Sequence, residues 1–125
     1  MAFAKGDATA ILSNKTAAAS ASTTLADCTT ITTTDATDLH IHCKVAYNAA
    51  ATLGVRVKLF ASYDNDTNYE SNPFWQFDMP FTANVTIGYS ARVPFSAKYI
   101  KVQVTNLDTG QSATAIYIYY SMQTA

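Results

Sequence analysis

Charged side chains are scarce in this 125-residue chain: 8 Lys and Arg stand against 9 Asp and Glu, 14% of residues, where an average soluble domain has roughly 25%. With a formal net charge of −1 and no basic cluster, the sequence lacks the electrostatic footprint of a nucleic-acid binder or of a protein drawn to anionic membranes. Both partners are set aside. No apolar run approaches the ~20 residues that a membrane-spanning helix needs. The opening Met1-Ala-Phe-Ala-Lys-Gly-Asp7 has no apolar stretch of the kind a secretory signal carries, so synthesis in a cytoplasm is expected. The sequons at Asn14, Asn65 and Asn84 then carry no weight. Cysteine is limited to Cys28 and Cys43. They fall on neighbouring candidate strands and could pair if those strands align, but a reducing compartment makes buried free thiols the expected state. Histidine is as rare, and among abundant Ser and Thr no nucleophile with a nearby base stands out. The chain is therefore read as a non-enzymatic protein without a cofactor.

What the sequence does have is hydrophobic alternation. At 13.5 kDa and 49% hydrophobic residues it is one domain with room for one core. Thr (18) and Ala (21) make up 39 residues, which gives a neutral, hydroxyl-rich surface. Leu39, Ile41, Cys43, Val45 and Tyr47 alternate with His40, His42, Lys44 and Ala46, the mark of a half-buried strand. Leu53, Val55, Val57, Leu59 and Ala61 make a second, and the short Asn48–Thr52 connection suggests that the two pair antiparallel. Ile100, Val102 and Val104 mark another strand, which the turn-forming Asn106-Leu-Asp-Thr-Gly110 leads into a last one at about 112–122, read as a hairpin. That last strand is apolar on both faces, so both faces are expected to be covered. Ala8–Thr16, Leu25–Thr34, Phe74–Met79 and Asn84–Tyr89 complete the set of short strands. No stretch carries a 3.6-residue period. The pattern predicts an all-β fold: a single antiparallel β-sandwich, jelly-roll-like, with about eight strands. Residues 1–35 read as a Thr/Ala-rich N-terminal arm with the first strands, and 36–125 as the sandwich body, within one domain.

Three constellations could carry chemistry. His40 and His42 share one face of a strand at a spacing that suits two Zn²⁺ ligands, with Asp35 and Asp38 near, but no third ligand completes a set and no metal is expected. Asp64, Asp66 and Asn68 match the first ligand positions of an EF-hand loop, after which the match fails at Tyr69 and Trp75, leaving an Asx-rich turn. The aromatic run Tyr63, Tyr69, Phe74, Trp75 and Phe77 is the candidate interaction patch: a stacking platform for sugar rings, or core and subunit contact, with Trp75 and Phe77 on one strand face.

Val55-Arg-Val-Lys-Leu-Phe-Ala-Ser-Tyr-Asp-Asn-Asp66, Pro94-Phe-Ser-Ala-Lys-Tyr-Ile-Lys-Val-Gln-Val-Thr-Asn106 and Ser112-Ala-Thr-Ala-Ile-Tyr-Ile-Tyr-Tyr120 together resemble small β-sandwich proteins of tailed bacteriophage virions. The resemblance covers residues 52–122. It implies a virion component made in the host cytoplasm: a capsid decoration or cement protein that binds at subunit junctions. It also implies a homo-oligomer, with threefold association, in contact with the major capsid protein. The same style of sandwich occurs in tail-fibre domains and carbohydrate-binding modules, which is the alternative reading. Low charge with abundant Thr and Tyr suits packing between subunits, because burying Lys and Glu is costly. The N-terminal stretch would then be an arm that orders on a neighbour.

Overall fold

Nine antiparallel strands form two sheets in a computed structural model that describes residues 4–62, 64 and 66–124. They are β1 (Ala4–Lys5), β2 (Thr9–Ala17), β3 (Ile31–Thr32), β4 (Ala36–Tyr47), β5 (Val55–Ser62), β6 (Trp75–Asp78), β7 (Thr86–Arg92), β8 (Tyr99–Asn106) and β9 (Ala113–Thr124). One sheet runs β2-β9-β4-β7, with the two-residue β1 also on β9; the other runs β3-β8-β5-β6. That order, in which the chain changes sheet at almost every connection, is a jelly roll.

Each sheet buries one face because each strand alternates. Leu39, Ile41, Cys43 and Val45 of β4, Val55, Val57 and Leu59 of β5, Ile100, Val102 and Val104 of β8 and Ile116 and Ile118 of β9 meet between the sheets, all essentially sealed from solvent. Burying one such aliphatic side chain stabilises by roughly 1.5–3 kcal/mol. Cys28 and Cys43 lie in this core as free thiols, and burial pushes the Cys43 thiol up to about 12. From the Thr/Ala-rich 1–35 stretch, β2 contributes the buried Ile11, Leu12 and Ala17.

Three sequence expectations are corrected. β4 and β5 do not pair, nor do β8 and β9; each couple is split between the sheets. Alternation reports that one face of a strand is buried, and this is equally true whether the next strand lies beside it or across the core. The Leu25–Thr34 segment is a short 3₁₀ turn (Leu25–Asp27), capped by Thr24, followed by the two-residue β3 rather than one strand.

The corner where both couples cross is held by side chains from β8 and the connection after it. The carboxylate of Asp108, 4% exposed, accepts from the backbone N–H of Thr52 (2.7 Å) and Leu53 (3.2 Å) with one oxygen. Its other oxygen accepts from Gly110 (2.8 Å) and Gln111 (2.9 Å). It thus ties the 48–54 crossing to its own 107–112 crossing. Asn106, 2% exposed, donates to the carbonyls of Ala17 (3.1 Å) and Gln111 (2.7 Å), and its own carbonyl accepts from the Asp108 N–H (3.1 Å). Gly54 sits where a Cβ would lie 3.0 Å from the Tyr47 hydroxyl, which explains a residue without one at the end of the first crossing.

The backbone N–H groups around Asp108 favour its ionised form and hold its carboxyl down at about 2. The stability this contributes is fully present above the ordinary carboxyl value of 3.8 and is lost as pH falls through about 2. Asp108→Asn should lower the Tm at neutral pH, since an amide turned either way presents N–H₂ to two backbone N–H donors. It should also flatten the acid limb of the wild-type Tm profile between 3.8 and about 2. A variant that keeps the wild-type acid limb would contradict this account.

Candidate functional site

The outer face of the β9-β4-β7 sheet gathers most of the candidate chemistry. Register places Ser90, His42 and Tyr119 in one cross-strand row, Gly88, Lys44 and Tyr117 in the next, and Arg92, His40 and Ser121 in a third. Tyr117 and Tyr119 lie on the same face of β9 with rings nearly parallel (7°), centroids 6.4 Å apart, and the Lys44 ammonium sits 5.6 Å over the Tyr117 ring. A bulge in β9 at Ala115, where φ is 48°, shifts the register against β4 beside the first of these tyrosines.

His40 and His42 do share this face, as their spacing requires. The His42 ring is held at both nitrogens: Nδ1 lies 2.8 Å from the Ser90 hydroxyl and Nε2 2.9 Å from the Ser121 hydroxyl. His40 Nδ1 lies 3.9 Å from the Asp38 carboxylate, which Arg92 Nε engages at 2.7 Å. The guanidinium of Arg92 holds the Asp38 carboxyl below its usual range. No group of three metal-ligating side chains occurs among the described residues. Two shallow depressions share Asp38. The larger, of about 480 Å³, is lined by Thr37, Arg92, Val93, Pro94 and Phe95; the smaller, of about 270 Å³, by Gly6, His40, Ser121, Met122 and Gln123.

The aromatic residues singled out from the sequence do not form one surface. Tyr63 lies outside the described residues. Trp75 pairs with Leu59 and Phe77 with Val57, so both turn inward and pack, with Phe74, against the core. Their rings touch at 5.3 Å, and Phe77 meets Tyr89 of β7 at 5.6 Å. Tyr69 lies on the opposite side of the same sheet, under the Lys101 ammonium at 5.2 Å, with its hydroxyl donating to Asp66. Burial and that carboxylate push its phenol up.

The carboxylates of the Asx-rich loop are engaged within the loop and with Thr30. Asp64 accepts from the Asn68 backbone N–H (2.9 Å) and side-chain amide (2.8 Å), and Asp66 accepts from Thr30 (2.9 Å). These bonds hold both carboxyls below their ordinary range, the Asn68 backbone N–H leading for Asp64 and the Tyr69 hydroxyl for Asp66. Sequence reasoning missed Ser90, Ser121 and Arg92 beside the histidines, and Tyr89 beside Phe77. They come from strands far apart in the chain, and only the register brings them together.

No family model and no curated protein sequence matches the chain. A solved structure of Bacillus endospore appendages, a family of disulfide-linked pili, is similar at a TM-score of 0.43 and 8% identity, over 98% of this chain and 89% of that chain.

Desolvation lowers the His42 pKa below 6.5, with His40 adding to the shift. A folded-state value below the unfolded one means that stability is fully present above 6.5 and falls as pH drops below it. Thermal melts from about pH 8 to about pH 5 should therefore show a declining Tm across that window, and His42→Gln should remove part of the slope. An unchanged slope in the variant would contradict the burial of this ring.

Proposed function

We propose that the protein is a non-enzymatic structural subunit of a virus particle, a capsid decoration protein of the tailed-phage type. It would self-associate and bind at junctions between shell subunits. The observation that carries this reading is the outer face of the β9-β4-β7 sheet. It is a sheet surface with stacked tyrosines, framed by Ser90, Ser121 and Gly88, on which Arg92 is matched by Asp38, His42 is held by two hydroxyls and the Lys44 ammonium lies over the Tyr117 ring. Tyrosine gives large contact area for little lost side-chain freedom and is enriched where proteins meet, while a surface short of lone charges is cheap to desolvate. The resemblance of residues 52–122 to phage sandwich proteins supports the same reading.

The mechanism is passive. Each copy would bridge neighbouring shell subunits by burying this face, and the bound state would gain stability by mass action. A carbohydrate platform built from Tyr69 and Trp75 has less support, because these side chains lie on opposite sides of one sheet.

Co-sedimentation of the purified protein with empty shells of the phage that carries its gene tests the reading. Stoichiometric binding is expected, weakened at least about tenfold by Tyr117→Ala with Tyr119→Ala, as loss of contact-centre aromatics commonly does. Protein that stays in the supernatant at all concentrations, while a glycan quenches Trp75 fluorescence, would overturn it in favour of sugar recognition.

A further inference from the structure

The two sheets have four open edges, and three of them are blunted. β2 carries three register shifts against β9, a left-handed Asn14 (φ 50°) and Lys15. β3 is two residues long. β6 is four residues long, ends in Asp78 and lies between Pro73 and Pro80. These are the devices by which sheet proteins keep edges from pairing. β7 has only a charge at its last residue, Arg92: Thr86–Arg92 pairs with β4 over seven consecutive residues without a shift, and contains neither proline nor lysine. Of the three large hydrophobic residues exposed among the described ones, two belong to this edge: Tyr89 (43%) and Val85 (42%), the latter just before the strand.

We propose that the β7 edge is a docking surface for the β7 edge of a second copy, paired antiparallel about a twofold axis at Tyr89. The inference rests on the structural-subunit reading and names a self-contact for it, a twofold one in place of the threefold association that the resemblance implies. The Tyr47 N–H donates to the Val85 carbonyl and the Val93 N–H to the Leu39 carbonyl, so the odd-numbered residues of β7 turn their backbone groups to β4. By the alternation of an antiparallel ladder, Thr86, Gly88, Ser90 and Arg92 turn theirs to the open side. An axis at Tyr89 sets Gly88 opposite Ser90 of the second copy and Thr86 opposite Arg92, which makes the outward-turned residues the hydrogen-bonded pairs. The closer, non-hydrogen-bonded positions then hold Ile87 against Ala91 and Tyr89 against itself, all on the inward face.

Charge permits this pairing. Arg92 is the one ionised side chain on the strand and is already matched by Asp38 at 2.7 Å, and the two Arg92 residues fall at opposite ends of the joint ladder. Self-pairing therefore sets no like charges opposite each other. Phe77, in contact with Tyr89, continues the apolar surface beneath the joint, so the exposed tyrosine gains a cover that a lone chain lacks.

Disulfide trapping on the full chain tests the register. In the pairing described, the two Tyr89 Cα atoms lie about 4.5 Å apart, within disulfide reach, whereas the two Ala91 Cα atoms lie roughly 13 Å apart. Under oxidised glutathione, Tyr89→Cys should yield at least about tenfold more covalent dimer than Ala91→Cys, and mixing Ala91→Cys with Ile87→Cys should restore crosslinking. The native thiols are buried and stay out of the reaction. Circular dichroism verifies that each variant folds, and sedimentation velocity of Tyr89→Lys should show a shift to monomer. No crosslink from Tyr89→Cys, with an oligomer that survives Tyr89→Lys, would overturn the edge and leave the structural reading intact. A wild-type monomer that still binds shells would do the same, whereas failure to bind shells strikes the structural reading itself.

Discussion

The fold depends on one buried carboxylate at the corner where the chain changes sheet. Asp108 collects four backbone N–H groups from two crossings, 48–54 and 107–112, and Asn106 beside it fastens the end of β2. A jelly roll needs such a fastening more than a meander does. Consecutive strands in a meander are neighbours and their turns are fixed by the ladder, whereas here β4 and β5, or β8 and β9, share no ladder at all. Backbone groups in the crossings would otherwise lie near the core without partners, at the cost that any unpaired buried amide carries. The corner satisfies them and fixes where β5 and β9 begin.

From that arrangement follow both the sheet surfaces and the sheet edges. Alternate crossing leaves β9 and β4 central in one sheet and β8 and β5 central in the other, where Ile118, Ile41, Val102 and Val57 seal the interior. It also leaves β6 and β7 as edges of opposite sheets, close enough for Phe77 to meet Tyr89. Inward-facing aromatics at this flank remain half covered because no further strand follows them. The same topology lays the polar rows of β7, β4 and β9 side by side, so that Ser90, His42 and Ser121 bond across three strands. Both proposed contacts, the tyrosine face and the β7 edge, belong to this one sheet.

Much of the fold was legible in the chain. Period-two alternation marked β4, β5 and β8, and their inward residues are the ones the core buries, whereas β9 is apolar on both faces and the expectation that both are covered fails: Ile116 and Ile118 turn inward and Tyr117 and Tyr119 lie half-buried on the outer face. The Asn106–Gly110 segment was read as the turn of a hairpin and is instead a crossing between the sheets, in which Asp108 serves as a cross-link. Strand partners were not legible, because alternation is blind to what lies beside a strand. The histidine pair was legible as sharing a face; the hydroxyls that hold His42 were not, since they come from 48 and 79 residues away. Trp75 and Phe77 turn inward as their strand parity suggested, while Tyr69 could not be separated from them without knowing that its loop returns to the outer side of the sheet.

The sheet containing β7 is the surface through which the chain is proposed to work. Residue-resolved hydrogen exchange, on dilute protein and on protein assembled at high concentration or on shells, tests that claim most directly. Assembly should slow exchange at the outward-turned amides of Gly88 and Ser90, while the amides of Ile87 and Tyr89, already bonded to β4, change little. Protection confined to the loop around Asp66 and Tyr69, with Gly88 and Ser90 exchanging as fast as before, would contradict it.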